Sequence, residues 1–239
     1  FNVIAPDLRG HGRGIKNRRR FRLSACADDV AALCGELGIE NAIFCGYSMG
    51  GPVAQLMWRR HPQLVSGLVF CATSSSFVPA LHQRLVFAGS MALMASTTRT
   101  TQVVTRLPKP VRQTLPKGLR GSARPSSVQV WAAQEMRRHD MRMVLEAGTA
   151  IGTFSSRRWI GSVEVPTTVL ITTKDRAVDP SAQLMLALDI PGAAIQRYNE
   201  GHTSPVLESF GPAITEACLS VSRTIRKTRR HTDIEEPTP

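Results

Sequence analysis

Three short apolar runs alternate with two amphipathic stretches in the first 75 residues. That rhythm constrains the fold more than any other feature of the chain. Phe1 to Ala5 is β-rich and closed by Pro6, and Ala42 to Cys45 and Leu68 to Ala72 are compact apolar runs. Between them, Leu23, Cys26, Ala27, Val30, Leu33, Cys34 and Leu37 recur at three- and four-residue spacings. That spacing predicts a helix with one apolar face. Ser24 is its expected N-cap and Gly38 its expected C′ stop. Pro52 to Arg60 predicts a second helix, entered through proline in its first turn. The runs are continuously apolar, and a strand with apolar residues on both sides must be covered on both sides. The order strand, helix, strand, helix, strand therefore predicts a mostly parallel sheet flanked by helices.

The rhythm breaks at Ser76 to Ile160, which contains no convincing strand but has helix-like segments at 81–96, 127–138 and 141–149. It returns with a strand at Thr167 to Thr172, a helix at Ser181 to Leu188, a strand at Ala194 to Tyr198 and a last helix from about Gly211 to Ile225. The expected organisation is a core in two parts, 1–75 and 161–225, a helical insertion at 76–160, and a disordered tail at 226–239. The longest nearly apolar stretch, Leu85 to Ala95, has 11 residues. A spanning helix needs about 20, so no transmembrane segment is expected, and Phe1-Asn2-Val3-Ile4 does not read as a signal peptide. The five cysteines are scattered singly. An odd count without C-x-x-C spacing argues for a reducing, cytoplasmic setting and against a disulfide frame or a metal site.

The strongest chemical signal is Gly46-Tyr47-Ser48-Met49-Gly50, followed by Gly51, where a strand ends and a helix begins. A nucleophile on such a turn has strained backbone angles, and the residues two away must be small; Gly46 and Gly50 meet that need. The following helix points its N-terminus at the site, which favours a developing oxyanion. Serine needs a base, and the base an orienting carboxylate. Of six histidines, His202 follows the last expected strand, on a loop where an open α/β sheet places its ligands. His11 reads as structural. Asp175 follows the strand ending at Thr172; Asp179, four residues on, competes with it but lies further from the strand end.

The order Ser48, Asp175, His202, with these segments, resembles the α/β-hydrolase fold family. Pro6 to Gly12 is similar to that family's loop after its fourth strand, Gly46 to Gly51 to its nucleophile elbow, Asp175 to Pro180 to its acid loop, and Gly201-His202 to its histidine loop. Residues 76–160 occupy the position of its lid. The resemblance implies a serine hydrolase that cleaves a carboxylic ester, lipid-like esters and thioesters included, through a covalent acyl-enzyme and without a cofactor. In it Ser48 attacks, His202 carries the proton, Asp175 orients the imidazole, and the Met49 N–H receives the oxyanion. Two alternatives stand beside it. One is a cofactor-free peroxidase or perhydrolase, a class that shares the Ser-Met-Gly elbow; the other is a truncated, non-catalytic protein of the same fold. The family's first three strands should precede Pro6, so the resemblance also implies an N-terminally incomplete fold, a fragment that lacks the loop carrying the second oxyanion donor.

The chain carries a net charge of +12. Ser76 to Ile160 holds 13 basic and 3 acidic residues, so ten of those charges fall in the insertion. The same region contributes Leu85, Val86, Phe87, Met91, Leu93 and Met94. An apolar face beside a basic one suits a small-molecule ester with an apolar acyl part, or a weak contact with an anionic membrane surface; packing of the lid onto the sheet uses the same apolar residues. Aromatic residues are only 5% of the chain and no nucleic-acid motif is present, so no nucleic-acid partner is expected.

Overall fold

The computed structural model describes residues 1–16, 19–78 and 141–235. The chain divides into two compact units, Phe1–Arg22 with His82–Ala150, and Leu23–Leu81 with Ile151–Pro239. Within the first, Phe21 is buried and its N–H donates to Glu146 Oε2 at 2.8 Å. Glu146 also pairs with Arg142 at 3.0 Å, one helical turn away. His11 sets its ring edge-on to Phe21 and contacts the Arg9 carbonyl through Nδ1 at 3.1 Å, a structural role.

The second unit holds the sheet. Its strands are β1 (Ala42–Tyr47), β2 (Val65–Cys71), β3 (Thr167–Thr172) and β4 (Ala194–Tyr198), all parallel and in the order β1-β2-β3-β4. The described helices are α1 (Leu23–Glu36), α2 (Gly50–Arg60), α3 (Met141–Thr153), α4 (Pro180–Asp189) and α5 (Phe210–Glu235). The expected α/β architecture, a parallel sheet flanked by helices, is what the chain adopts. Strand β3 is buried at every position and β2 at all but one. Val69, Cys71 and Leu170 pack with Ala217 and Val221 of α5 on one face. Alternation along the strands turns Leu68, Phe70, Val169 and Ile171 the other way, and these are buried as well. Continuous apolar runs thus sit where both sides need cover. Ser24 lies inside α1 rather than capping it. Gly38, at φ +65°, ends the turn after α1 as expected.

Two expectations fail. Phe1 to Ala5 forms no strand; Phe1, Val3 and Ile4 are exposed. Apolar, β-favouring residues become a strand only when a neighbouring backbone completes their hydrogen bonds, and among the described residues none does. Residues 226–235, expected in a disordered tail, are helical instead, because α5 continues to Glu235. Between Pro212 and Pro237 there is neither proline nor glycine, so charge alone does not break the helix over the described residues. The helix-like segments at 81–96 and 127–138, and with them most of the expected lid, lie outside the described residues. Among the described residues no helix is long and apolar enough to cross a membrane.

Candidate active site

Strand β1 ends at Tyr47 and α2 begins at Gly50, so the chain must reverse within two residues. Ser48 absorbs the reversal at φ +49°, a left-handed conformation that strains any residue but glycine. Its N–H donates to the Cys71 carbonyl at 3.0 Å and extends the β1–β2 pairing by one residue; its carbonyl accepts from the Gly51 N–H at 2.9 Å. The turn is pinned from both sides. A Cβ at Gly46 would fall on the Gly50 carbonyl, and one at Gly51 would fall on the Thr73 side chain. A Cβ at Gly50 meets nothing. The crowding expected at Gly46 and Gly50 therefore falls on Gly46 and Gly51. Met49 is the N-cap of α2. Its N–H is among those that helix geometry leaves without an internal partner, and it follows the serine directly.

The other half of the site sits beyond β3 and β4. Their pairing runs past the strand ends through Thr173 N–H to Tyr198 O at 2.9 Å and Lys174 N–H to Glu200 O at 3.1 Å. Two loops far apart in sequence are thereby laid side by side. Asp175 Oδ2 meets His202 Nδ1 at 2.8 Å, and His202 Nε2 meets Ser48 Oγ at 2.9 Å. The three residues chosen from sequence lie in one hydrogen-bonded chain. The Asp175 side chain has no exposure, whereas the His202 ring is 28% exposed.

Asp175 is held as a carboxylate. Burial pushes its pKa up, but the Val178 N–H, the His202 ring, the Ala177 N–H and the Thr172 hydroxyl together outweigh burial and hold it below the ordinary value. Oδ1 accepts from Ala177 at 2.8 Å and Val178 at 2.9 Å; Oδ2 accepts from Thr172 Oγ1 at 2.9 Å. An ionised carboxylate only accepts, so the His202 proton belongs on Nδ1 and Nε2 is left to accept from the Ser48 hydroxyl.

The supporting roles of Gln183 and Thr172 escaped the sequence reading, as did the contact made by the elbow residue Tyr47. Gln183, fully buried on α4, accepts from the Thr172 N–H at 3.0 Å and donates to Thr172 Oγ1 and the Val178 carbonyl, both at 2.9 Å. Thr172 is thus fixed so that its own hydroxyl points at Asp175. Tyr47 donates its hydroxyl to the His202 carbonyl at 2.5 Å and holds the histidine loop from the end of β1. Asp179, the rival carboxylate, caps α4 instead: its Oδ1 accepts from the Ser181 N–H at 2.7 Å. A cavity of about 570 Å³ lies beside the acid loop, lined by Ser74 to Phe77, Val178 and Met185 among others, but neither Ser48 nor His202 lines it. Among the described residues no cluster of three or more His, Cys, Asp or Glu is arranged to hold a metal ion. His61 pairs with Asp28 at 2.9 Å, while His82 and His139 lie outside the described residues.

Comparison with known proteins places this geometry in a family. The sequence model of the alpha/beta hydrolase fold matches residues 1–208, and the chain belongs to that family. It is similar to an uncharacterized protein of Mycobacterium tuberculosis, 42% identical over 69 residues, which is 29% of this chain and 20% of that protein. It is also similar to the AB hydrolase superfamily protein YisY of Bacillus subtilis, 27% identical over 185 residues, 74% of this chain and 65% of the relative. The chain thus spans a fifth of the first relative's length and just under two thirds of the second's. Among solved structures, a hydrolase from Pseudomonas aeruginosa PA01 shares the fold with a TM-score of 0.67 at 21% identity, covering 88% of this chain and 77% of that one. Other matches are named as an esterase/perhydrolase, an enol-lactonase, an epoxide hydrolase and a bromoperoxidase. Hydrolase chemistry therefore runs through the family.

Proposed function

We propose that this chain is a serine hydrolase that cleaves carboxylic esters, lipid-like esters and thioesters included, through a covalent acyl-enzyme. The observation that carries the proposal is the unbroken chain from Asp175 Oδ2 through His202 to Ser48 Oγ, with links of 2.8 and 2.9 Å. Ser48 Oγ attacks the ester carbonyl carbon while His202 Nε2 takes its proton. Asp175 steadies the imidazolium that forms. The oxyanion develops at the head of α2, where the Met49 N–H and the helix N-terminus favour negative charge. Collapse of the tetrahedral intermediate expels the alcohol, which takes the proton back from His202. Water, activated by the same histidine, then releases the acid from Ser48. No step needs a metal or an organic cofactor.

The substrate has an apolar acyl part in this reading, supported by the apolar and basic residues of 76–160. The same residues support a weak anionic membrane-surface contact, without nucleic-acid binding. The scattered free cysteines support a cytoplasmic setting. Activity against p-nitrophenyl esters of increasing acyl length tests the substrate class. A kcat/KM that rises from acetate to medium chains is expected; a sharp preference for acetate contradicts it. The second reading, a perhydrolase, draws on the similarity to the bifunctional esterase/perhydrolase of Acinetobacter calcoaceticus, 39% identical over 62 residues, 26% of this chain and 22% of the relative. Bromination of monochlorodimedone with peroxide and acetate separates the two.

A further inference from the structure

We infer that Tyr47 is a positioning residue whose hydroxyl fixes the distance between His202 and Ser48, an inference that rests on the serine-hydrolase reading. Tyr47 is the last residue of β1 and directly precedes Ser48. Strand alternation turns its side chain onto the face covered by α5, where it packs against the core cluster together with Tyr198 and Phe210. Its ring stands edge-on to Phe210 at 5.6 Å and lies 5.6 Å from the His202 ring. Its hydroxyl donates to the His202 carbonyl at 2.5 Å and meets Ser204 Oγ at 3.4 Å. Burial, outweighing the contact with Ser204, pushes the Tyr47 pKa up, so the hydroxyl keeps the proton it donates.

The histidine loop needs such an anchor. It runs over residues 199–209, between β4 and α5. Its backbone pairing with the acid loop ends at the Glu200 carbonyl. Beyond that point its backbone bonds among the described residues are local: Ser204 N–H to Gly201 O at 3.1 Å, Val206 N–H to Thr203 O at 3.3 Å and Leu207 N–H to Ser204 O at 2.9 Å. Local bonds shape a turn but do not hold it against its neighbours. The roots of the loop are closed by the Tyr198–Phe210 ring contact at 6.1 Å and the Tyr198–Ser209 hydroxyl contact at 2.6 Å. His202 lies between those roots, and the Tyr47 bond reaches its own backbone. Asp175 holds the imidazole at Nδ1 and Tyr47 holds the main chain behind it, so the base is fixed at two points. Tyr47 and Ser48 share a peptide bond, which ties the base to the same backbone that carries the nucleophile. A loop shift that lengthens the 2.9 Å Ser48–His202 contact must therefore break the Tyr47 bond or drag Ser48 along.

The test is Tyr47→Phe in the 239-residue chain, which keeps the ring, removes the hydroxyl and should keep the circular dichroism of the parent. A misplacement of about 1 Å can cost about 10²-fold in rate, so the loss expected is about 10-fold to 10²-fold, in kcat for a p-nitrophenyl ester and in the rate of fluorophosphonate labelling at Ser48. KM should stay at the parent's value, because the hydroxyl bonds to the histidine backbone and removing it spares ground-state binding. The His202 Nδ1 proton, held on Asp175, gives a far-downfield proton resonance. In the variant that resonance should broaden through faster exchange with water. A parent labelled at Ser48 beside a Tyr47→Phe variant labelled equally fast would overturn the proposal, as would a variant whose only change is a lower melting temperature. A parent that is not labelled overturns the hydrolase reading instead, and the resonance then decides: equal exchange in the two chains overturns the role of Tyr47, and faster exchange in the variant upholds it.

Discussion

Strands β1 and β3 each deliver one residue to the site, and they hold it by different means. Strand β3 is buried at all six positions, and Asp175 just beyond it has five hydrogen-bond donors on its carboxylate, the longest from Gln183 Nε2 at 3.5 Å. Strand β1 is buried only at Gly46, and Ser48 beyond it is placed by backbone crowding: the left-handed turn, the Gly46–Gly50 contact and the Gly51–Thr73 contact. The acid is fixed by satisfied polarity, the nucleophile by the absence of side chains. Substitutions should therefore fail in different ways on the two sides.

The largest effect belongs to the nucleophile. Ser48→Ala should lower kcat for a p-nitrophenyl ester by about 10⁶-fold, the scale found when a serine-protease nucleophile is removed, with folding unchanged by circular dichroism. Asp175→Asn keeps the shape but no longer requires the Nδ1–H tautomer of His202, and kcat should fall by about 10⁴-fold. On the crowded side the cost appears in stability. Gly46→Ala should lower the urea-derived unfolding free energy by about 1–3 kcal/mol, while Gly50→Ala, whose Cβ meets open space, should stay within about 0.5 kcal/mol. Equal losses at both glycines would break the comparison.

The smallest effect is on pH dependence. Asp175 has a lowered pKa in the folded chain. Its contribution to stability is therefore fully present above the unfolded carboxylate value of 3.8 and is lost as pH falls through the lower folded value. Thr172→Val removes one of the hydrogen bonds that outweigh burial, so this acid-side loss should be smaller and should be complete at a higher pH in the variant. Urea titrations between pH 2 and 5, on the order of the ordinary carboxylate range, would reveal the shift. Identical pH profiles for the two chains would contradict the role given to Thr172.

How much of this was legible in the sequence depends on how far apart the contributing residues lie. The buried strands announced themselves as unbroken apolar runs, and Ser48, Asp175 and His202 stood out because each follows a strand end. Asp179 carried a readable signal too, since an aspartate before proline and serine marks a helix start. Gln183 did not: glutamine on a helix usually faces water, and only the packing of α4 on β3 turns it onto Thr172. Tyr47 reaches a carbonyl 155 residues away, and no local pattern predicts that. Phe1 to Ala5 misled for the converse reason. Its composition is that of a strand, but a strand is defined by its partner, which composition does not reveal.

The account rests on Ser48 being a nucleophile activated by His202. Incubating the purified 239-residue chain with a fluorescent fluorophosphonate tests this most directly, because the probe reacts covalently with such a serine whatever the natural substrate. The account predicts stoichiometric labelling that maps to Ser48, disappears in Ser48→Ala and slows sharply in His202→Ala. A folded chain that stays unlabelled, or one labelled equally well in Ser48→Ala, would contradict it.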